Sequence, residues 1–164
     1  MRFLTGLNSR LSRWGMYVAA LCLMSLLIVV LYGVLMRYAF NDAPPYVEQV
    51  ALLLVISVAM FGAASGVRDC GHIGLDSLVE MLPLRLQFIC KLIVYVLSIL
   101  FASSLLFGGY EMAVSTLSNT IPTLGISEAT RYVPVISAGF LIILFSIEHM
   151  VAMLTSRKVV PSWH

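Results

Sequence analysis

The feature that most constrains this chain is a set of four long stretches with almost no charged side chains. Three of them contain no charge at all and cover Trp14–Met36, Gln49–Val67 and Leu92–Tyr110. The fourth, Tyr132–Leu154, is interrupted by a single acid, Glu148. Because a helix needs about 20 consecutive apolar residues to cross a bilayer, the pattern predicts four membrane-spanning helices.

The expected fold is therefore an all-α membrane protein with one domain over residues 1–164. We place its spans at about 14–36, 47–67, 87–111 and 131–154. Composition agrees, since 60% of the residues are hydrophobic and only 11% are charged, whereas soluble domains average about 25% charged residues. The formal net charge of +2 gives no basis for nucleic-acid binding, so the predicted surroundings are the lipid bilayer.

A short amphipathic helix is predicted between the second and third spans, at about residues 76–83. Ser77 and Glu80 form a capping box there. The leucines and valine around them recur at helical spacing. A helix of this kind lies flat on the membrane surface.

The basic residues predict the orientation of the four spans, because Lys and Arg are retained on the cytoplasmic side of a membrane. If both termini are cytoplasmic, only Arg37 and Arg131 lie on the outer side. The cytoplasmic side then holds eight basic residues: Arg2, Arg10, Arg13, Arg68, Arg85, Lys91, Arg157 and Lys158. We therefore expect both termini in the cytoplasm.

Small residues on the second span form a candidate packing face made of Ala59, Gly62, Ala63 and Gly66. Helices in lipid associate through close contact over such residues, as in the GxxxG motif. The motif shows that something packs there. It leaves open whether the neighbour is another helix of this chain or another subunit.

Charged and polar residues gather at two corners of the predicted topology. The outer corner holds Arg37, Asn41 and Glu48, and the first and last of these can form an ion pair or remain ordinary helix-end charges that reach water. The cytoplasmic corner holds Arg68, Asp69, His72 and Asp76. We interpret this second corner as a surface loop that fixes local geometry.

An enzyme is not predicted, because a catalytic site needs a nucleophile or base in a pocket that excludes water. The three cysteines, Cys22, Cys70 and Cys90, lie far apart and form no CxxC. This spacing does not indicate a disulfide framework or a metal site. We therefore expect no catalytic residue, no metal and no cofactor.

Glu148 is the one acid inside a predicted span, and intramembrane acids are functional candidates by default. The interiors of the first three spans contain no charged residue and no histidine. Glu148 is therefore predicted to lie near the cytoplasmic end of its span without a partner in the other spans. A chain with several spans but no ion or substrate route of its own is typical of an accessory subunit.

Several short segments resemble one family in order and spacing: Arg37-Tyr38-Ala39-Phe40-Asn41, Tyr46-Val47-Glu48, Gly62-Ala63, Arg68, Gly71-His72-Ile73, Asp76, Ile121-Pro122-Thr123-Leu124-Gly125-Ile126, Tyr132 and Pro134. Over Arg37–Gly139 the chain resembles the small membrane subunit (DctQ type) of tripartite ATP-independent periplasmic, or TRAP, transporters. It departs from the family where Tyr46, Glu48 and Gln49 replace a Trp with two adjacent acids. Ser127 and Ala129 likewise stand where Pro and Trp are frequent.

The resemblance implies a bacterial inner-membrane protein that joins a large multi-span transporter subunit. It further implies a periplasmic solute-binding protein as partner, and uptake of an organic acid driven by a sodium gradient. Two other hypotheses stay open at this point. One is a self-sufficient homodimeric transporter that uses Glu148, and the other is a membrane redox enzyme, which would need facing histidines or paired cysteines.

Overall fold

A computed structural model describes residues 2–69 and 83–155, and long helices make up most of these described residues. In this part of the chain the α-helices are α1 (Arg2–Ala39), α2 (Pro45–Asp69), α3 (Leu84–Ser115) and α4 (Val133–Leu154), and a short 3-10 helix, Glu128–Tyr132, precedes α4. Each α-helix is long and apolar enough to cross a membrane, which confirms the predicted fold class. Residues 76–82 of the predicted surface helix lie outside the described residues.

Successive helices run antiparallel, so the molecule has two distinct ends. We call the end that holds the start of α1 and the end of α4 the terminal end, and the opposite one the far end. Helix α2 packs against both α1 and α4, and α3 packs mainly along α4. The order across the molecule is therefore α1, α2, α4, α3.

Glycines allow the close helix contacts on both sides of this arrangement. A Cβ on Gly33 of α1 would lie 2.7 Å from Cγ1 of Val47 on α2, and one on Gly139 of α4 would lie 3.1 Å from the Ala102 carbonyl oxygen of α3. The buried core between the helices contains three small residues, Ala64, Ala102 and Ala138, beside the larger Ile142 and Phe145. Packing over small residues is the expected source of association in lipid.

The far end is closed by two ordered connections. Asn41, two residues after the end of α1, has a left-handed backbone (φ 54°), a conformation that Asn tolerates better than most residues. Residues 116–127 form a hairpin in which Gly125 has φ 66° and the backbone of Ile121 bonds to that of Ile126. The Ile121 side chain is buried, so the hairpin is held against the helices.

Candidate functional site

Polar side chains from three helices meet in a buried cluster at the terminal end. Arg68 of α2 lies at its centre, beside Asp69 of the same helix and Glu148 of α4. The exposed fractions of these three side chains are 1%, 5% and 4%. The remaining members described below are Asn8, Ser12, Ser65 and His149, and together we call these seven residues the polar cluster.

The Arg68 guanidinium bonds to two carboxylates at once. Its Nε lies 3.2 Å from Oε2 of Glu148 and its Nη2 lies 3.5 Å from Oε1, while Nη1 lies 3.0 Å from Oδ1 of Asp69. A planar fork of donors suits this bidentate geometry. Because an unpaired buried charge is strongly destabilising, each of these charges depends on its partners.

Helix α1 completes the cluster with neutral donors. The Asn8 amide donates to Oε2 of Glu148 at 2.9 Å, and the Ser12 hydroxyl donates to Oδ2 of Asp69 at 2.7 Å. The Ser65 hydroxyl of α2 donates in turn to the Ser12 carbonyl at 3.1 Å. These bonds fix the rotation of α1 relative to α2 and α4.

His149 connects the cluster to the backbone of α2 and to α3. Its Nε2 lies 3.0 Å from the Arg68 carbonyl oxygen, and since a carbonyl can only accept, Nε2 carries the proton. The last four carbonyls of a helix have no donor within it, so His149 satisfies one near the end of α2. The His149 ring also stacks on Tyr95 of α3, with centroids 5.5 Å apart.

Two sequence-based predictions about this region are wrong. Arg68 does not lie in a surface loop but within α2, and it is almost completely buried. Glu148 has a partner in another span, because it pairs with Arg68. A buried acid near the end of one span needs a cationic partner at the same depth in the membrane. This requirement could have suggested Arg68 as the partner of Glu148. His72 and Asp76, the other predicted corner residues, lie outside the described part of the chain.

At the far end, the structure brings together the predicted outer corner. Arg37 Nη2 lies 3.4 Å from Glu48 Oε1, and the side chains are 59% and 76% exposed. Asn41 lies in the short turn that joins their helices. Beside this corner, Arg131 donates to the side-chain oxygen of Gln49, a contact that sequence reasoning did not predict.

The small-residue face of α2 contacts none of the described residues closely. A Cβ built on Gly62 or Gly66 finds no described atom within 4 Å. Ala59 and Ala63 are exposed. The buried residues at this end of α2, including Ser65 and Arg68, lie on other sides of the helix. The open glycines thus differ from Gly33 and Gly139, which lie within helix contacts.

Comparisons with known proteins agree on one family. Residues 26–156 match the family model described as the DctQ component of tripartite ATP-independent periplasmic transporters. A Haemophilus influenzae protein described as a TRAP transporter small permease is 26% identical over 135 residues, which cover 82% of this chain and 83% of the relative. A C4-dicarboxylate TRAP transporter small permease of Vibrio cholerae is 30% identical over 79 residues, covering 48% and 34%.

Proposed function

Because the chain belongs to the DctQ family of small TRAP-transporter subunits, we propose that it is an accessory subunit that stabilises a large transport subunit in the bilayer. In this role it has no catalytic residue, metal or cofactor of its own. The proposed process is sodium-driven uptake of an organic acid delivered by a periplasmic binding protein. Both termini lie in the cytoplasm, so the far end faces the periplasm.

The polar cluster supports a scaffolding role. Its charges are committed to bonds that join α1, α2 and α4, with Arg68 bound to both Asp69 and Glu148. A group that must bind and release an ion or a proton during transport needs access to water and must be able to change its bonding partners. Glu148, whose side chain is 4% exposed and bonded to Arg68 and Asn8, is better suited to holding the helices together.

The observation that carries the proposed partner contact is the open face formed by Ala59, Gly62, Ala63 and Gly66. Small residues let two helix backbones approach closely, which is the main source of helix association in lipid. Other glycines, such as Gly139, already lie against a neighbouring helix of this chain. The face on α2 is left for a helix of the large subunit.

The far end supports the proposed docking of the binding protein. Arg37 and Glu48 present both charges to solvent, and the hairpin at 116–127 is fixed by the buried side chain of Ile121. An ordered surface costs less conformational entropy on binding than a flexible one. We assign the first contact with the binding protein to this surface.

Recovery of the large subunit with the tagged chain tests the partner face. Gly62→Leu introduces a side chain into the proposed contact, so we expect a loss of about tenfold or more in co-purified partner, the cost of a few kcal/mol of overpacking. Uptake by the cells is expected to fall in parallel. The variant chain itself should reach normal levels, because no atom of the described residues lies within 4 Å of a Cβ at this position.

Two further glycines provide matched controls. Gly108→Leu changes an equally open glycine on α3 and should leave recovery of the partner unchanged. Gly139→Leu changes a packed glycine and should lower the amount of folded chain itself. Normal recovery and uptake with Gly62→Leu would contradict the assignment of this face.

The self-sufficient homodimer, the alternative transporter hypothesis, receives no support from these contacts. It relied on Glu148 as the acid that carries an ion or proton. The bonds from Arg68 and Asn8 to this carboxylate give Glu148 a structural role that does not require ion or proton transport. Purification of the chain as a homodimer that catalyses uptake alone would restore this alternative.

A further inference from the structure

A basic and aromatic patch covers one side of α1 near the terminal end. Its members are Arg10, Arg13, Trp14 and Tyr17, which share one side because they are three or four residues apart. All four are exposed, and the exposed fractions of Trp14 and Tyr17 are 69% and 54%. The scaffolding proposal gives this surface no role.

The patch lies at the depth of the lipid headgroups. The uncharged stretch of α1 begins at Trp14, and the helix continues without interruption from Arg2 to Ala39. At about 1.5 Å per residue, Arg13 and Arg10 lie roughly 1.5 and 6 Å beyond the start of that stretch. Trp and Tyr favour this boundary between hydrocarbon and water.

The polar cluster fixes the direction in which the patch points. Asn8 and Ser12 on the other side of α1 are buried and bonded to Glu148 and Asp69. Gly15 is likewise close to Ser65 of α2. With one side of α1 held against α2 and α4, the two arginines are directed away from the protein.

Arg10 and Arg13 also differ from the other arginines whose side chains the structure describes. Arg37, Arg68 and Arg131 each pair with a carboxylate. Within this described set, Arg10 and Arg13 have no such partner, and no acid precedes Asp42 in the sequence. The patch therefore holds two positive charges that the described part of the chain does not neutralise.

We propose that this patch binds the phosphate headgroup of an anionic phospholipid. Guanidinium groups form strong, often bidentate bonds with phosphate oxygens, and basic residues next to a span attract anionic lipid. The aromatic residues at the same depth favour an occupant that reaches into the hydrocarbon. These features match a phospholipid more closely than a soluble phosphate or an acidic protein segment.

Fluorescence quenching of Trp14 tests the proposal on the full chain in bilayers. The substitution Trp163→Phe leaves Trp14 as the only tryptophan, and the probes are phosphatidylglycerol and phosphatidylcholine with brominated acyl chains. At low salt, we expect phosphatidylglycerol to bind beside Trp14 more tightly than phosphatidylcholine, with each arginine increasing this preference about fivefold. Arg13→Gln should remove about one such factor, and Arg10→Gln/Arg13→Gln should abolish the preference.

Arg37→Gln is the matched control, because it removes an arginine at the other end of the same helix. It should leave the preference at Trp14 unchanged, and thermal unfolding of each variant should show that the fold is retained. Equal quenching by the two lipids in the parent chain would overturn the proposal. An effect of Arg37→Gln equal to that of Arg13→Gln would also overturn the proposal, because it would show that the lipid preference depends only on the net charge of the chain.

A protein partner at the patch is the competing outcome. In that case the chain shows no lipid preference, and Arg10→Gln/Arg13→Gln instead reduces recovery of the large subunit. The quenching measurement uses the chain without its partners, so its result does not depend on the scaffolding proposal.

Discussion

The two ends of this molecule use the same chemistry in opposite surroundings. Each joins neighbouring helices through an arginine and a glutamate, Arg68 with Glu148 at the terminal end and Arg37 with Glu48 at the far end. The first pair is about 95% or more buried, whereas the second is 59% and 76% exposed. The comparison shows that burial, more than the identity of the residues, determines what an ion pair does.

The difference follows from the cost of removing charges from water. An exposed pair contributes about 0–1 kcal/mol, because water already solvates both partners. A buried pair contributes little more in net terms, but removing one partner leaves a charge that neither water nor protein satisfies. The ion pair at the terminal end is therefore costly to break, whereas the Arg37–Glu48 pair at the far end can be broken at little cost.

The largest predicted effect is that of Glu148→Ala at the terminal end. It leaves the Arg68 guanidinium with one carboxylate fewer inside the protein, so the free energy of unfolding should fall by about 3–5 kcal/mol. Glu48→Ala, the equivalent change at the far end, should cost no more than about 1 kcal/mol. Thermal or denaturant unfolding of both variants in the same detergent measures the contrast, and equal losses would refute it.

A smaller effect is predicted for the neutral donors of the polar cluster. Ser12→Ala removes the hydroxyl that donates to Asp69 at 2.7 Å, and a hydrogen bond to a charged group contributes about 1.5–3 kcal/mol. Ser9→Ala is a matched control on the same helix, since the Ser9 hydroxyl donates locally, to the Gly6 carbonyl. If both substitutions reduce the unfolding free energy equally, the bond from Ser12 to Asp69 contributes no more than a local helix bond.

The sequence predicted the four spans because each span carries its own evidence. A helix that crosses a bilayer must be apolar over its whole length, and this property is local. The first helix also shows the limit of that evidence. Its predicted span is 14–36, but α1 starts at Arg2, because Asn8 and Ser12 in this polar segment bond to other helices.

The polar cluster was not predicted because it depends on which sides of the helices meet. Arg68 and Glu148 are 80 residues apart, and their pairing follows only from the packing of α2 against α4. The same holds for the face around Gly62, whose spacing indicates contact but not the neighbour. Sequence identified the residues with special chemistry, and the helix arrangement determined whether each one is buried, paired or exposed.

The smallest predicted effect is the coupling between Arg37 and Glu48 at the far end. A double-mutant cycle with Arg37→Gln and Glu48→Gln should give a coupling of less than about 1 kcal/mol. This coupling should decrease further when salt rises from about 0.1 to 1 M, because the Debye length falls from about 10 to 3 Å. The same cycle at Arg68 and Glu148 should retain most of its coupling in high salt, since ions do not reach a buried pair. Equal salt sensitivity at the two ends would mean that water enters the polar cluster, and the contrast between a terminal pair that is costly to break and a far-end pair that is not would no longer hold.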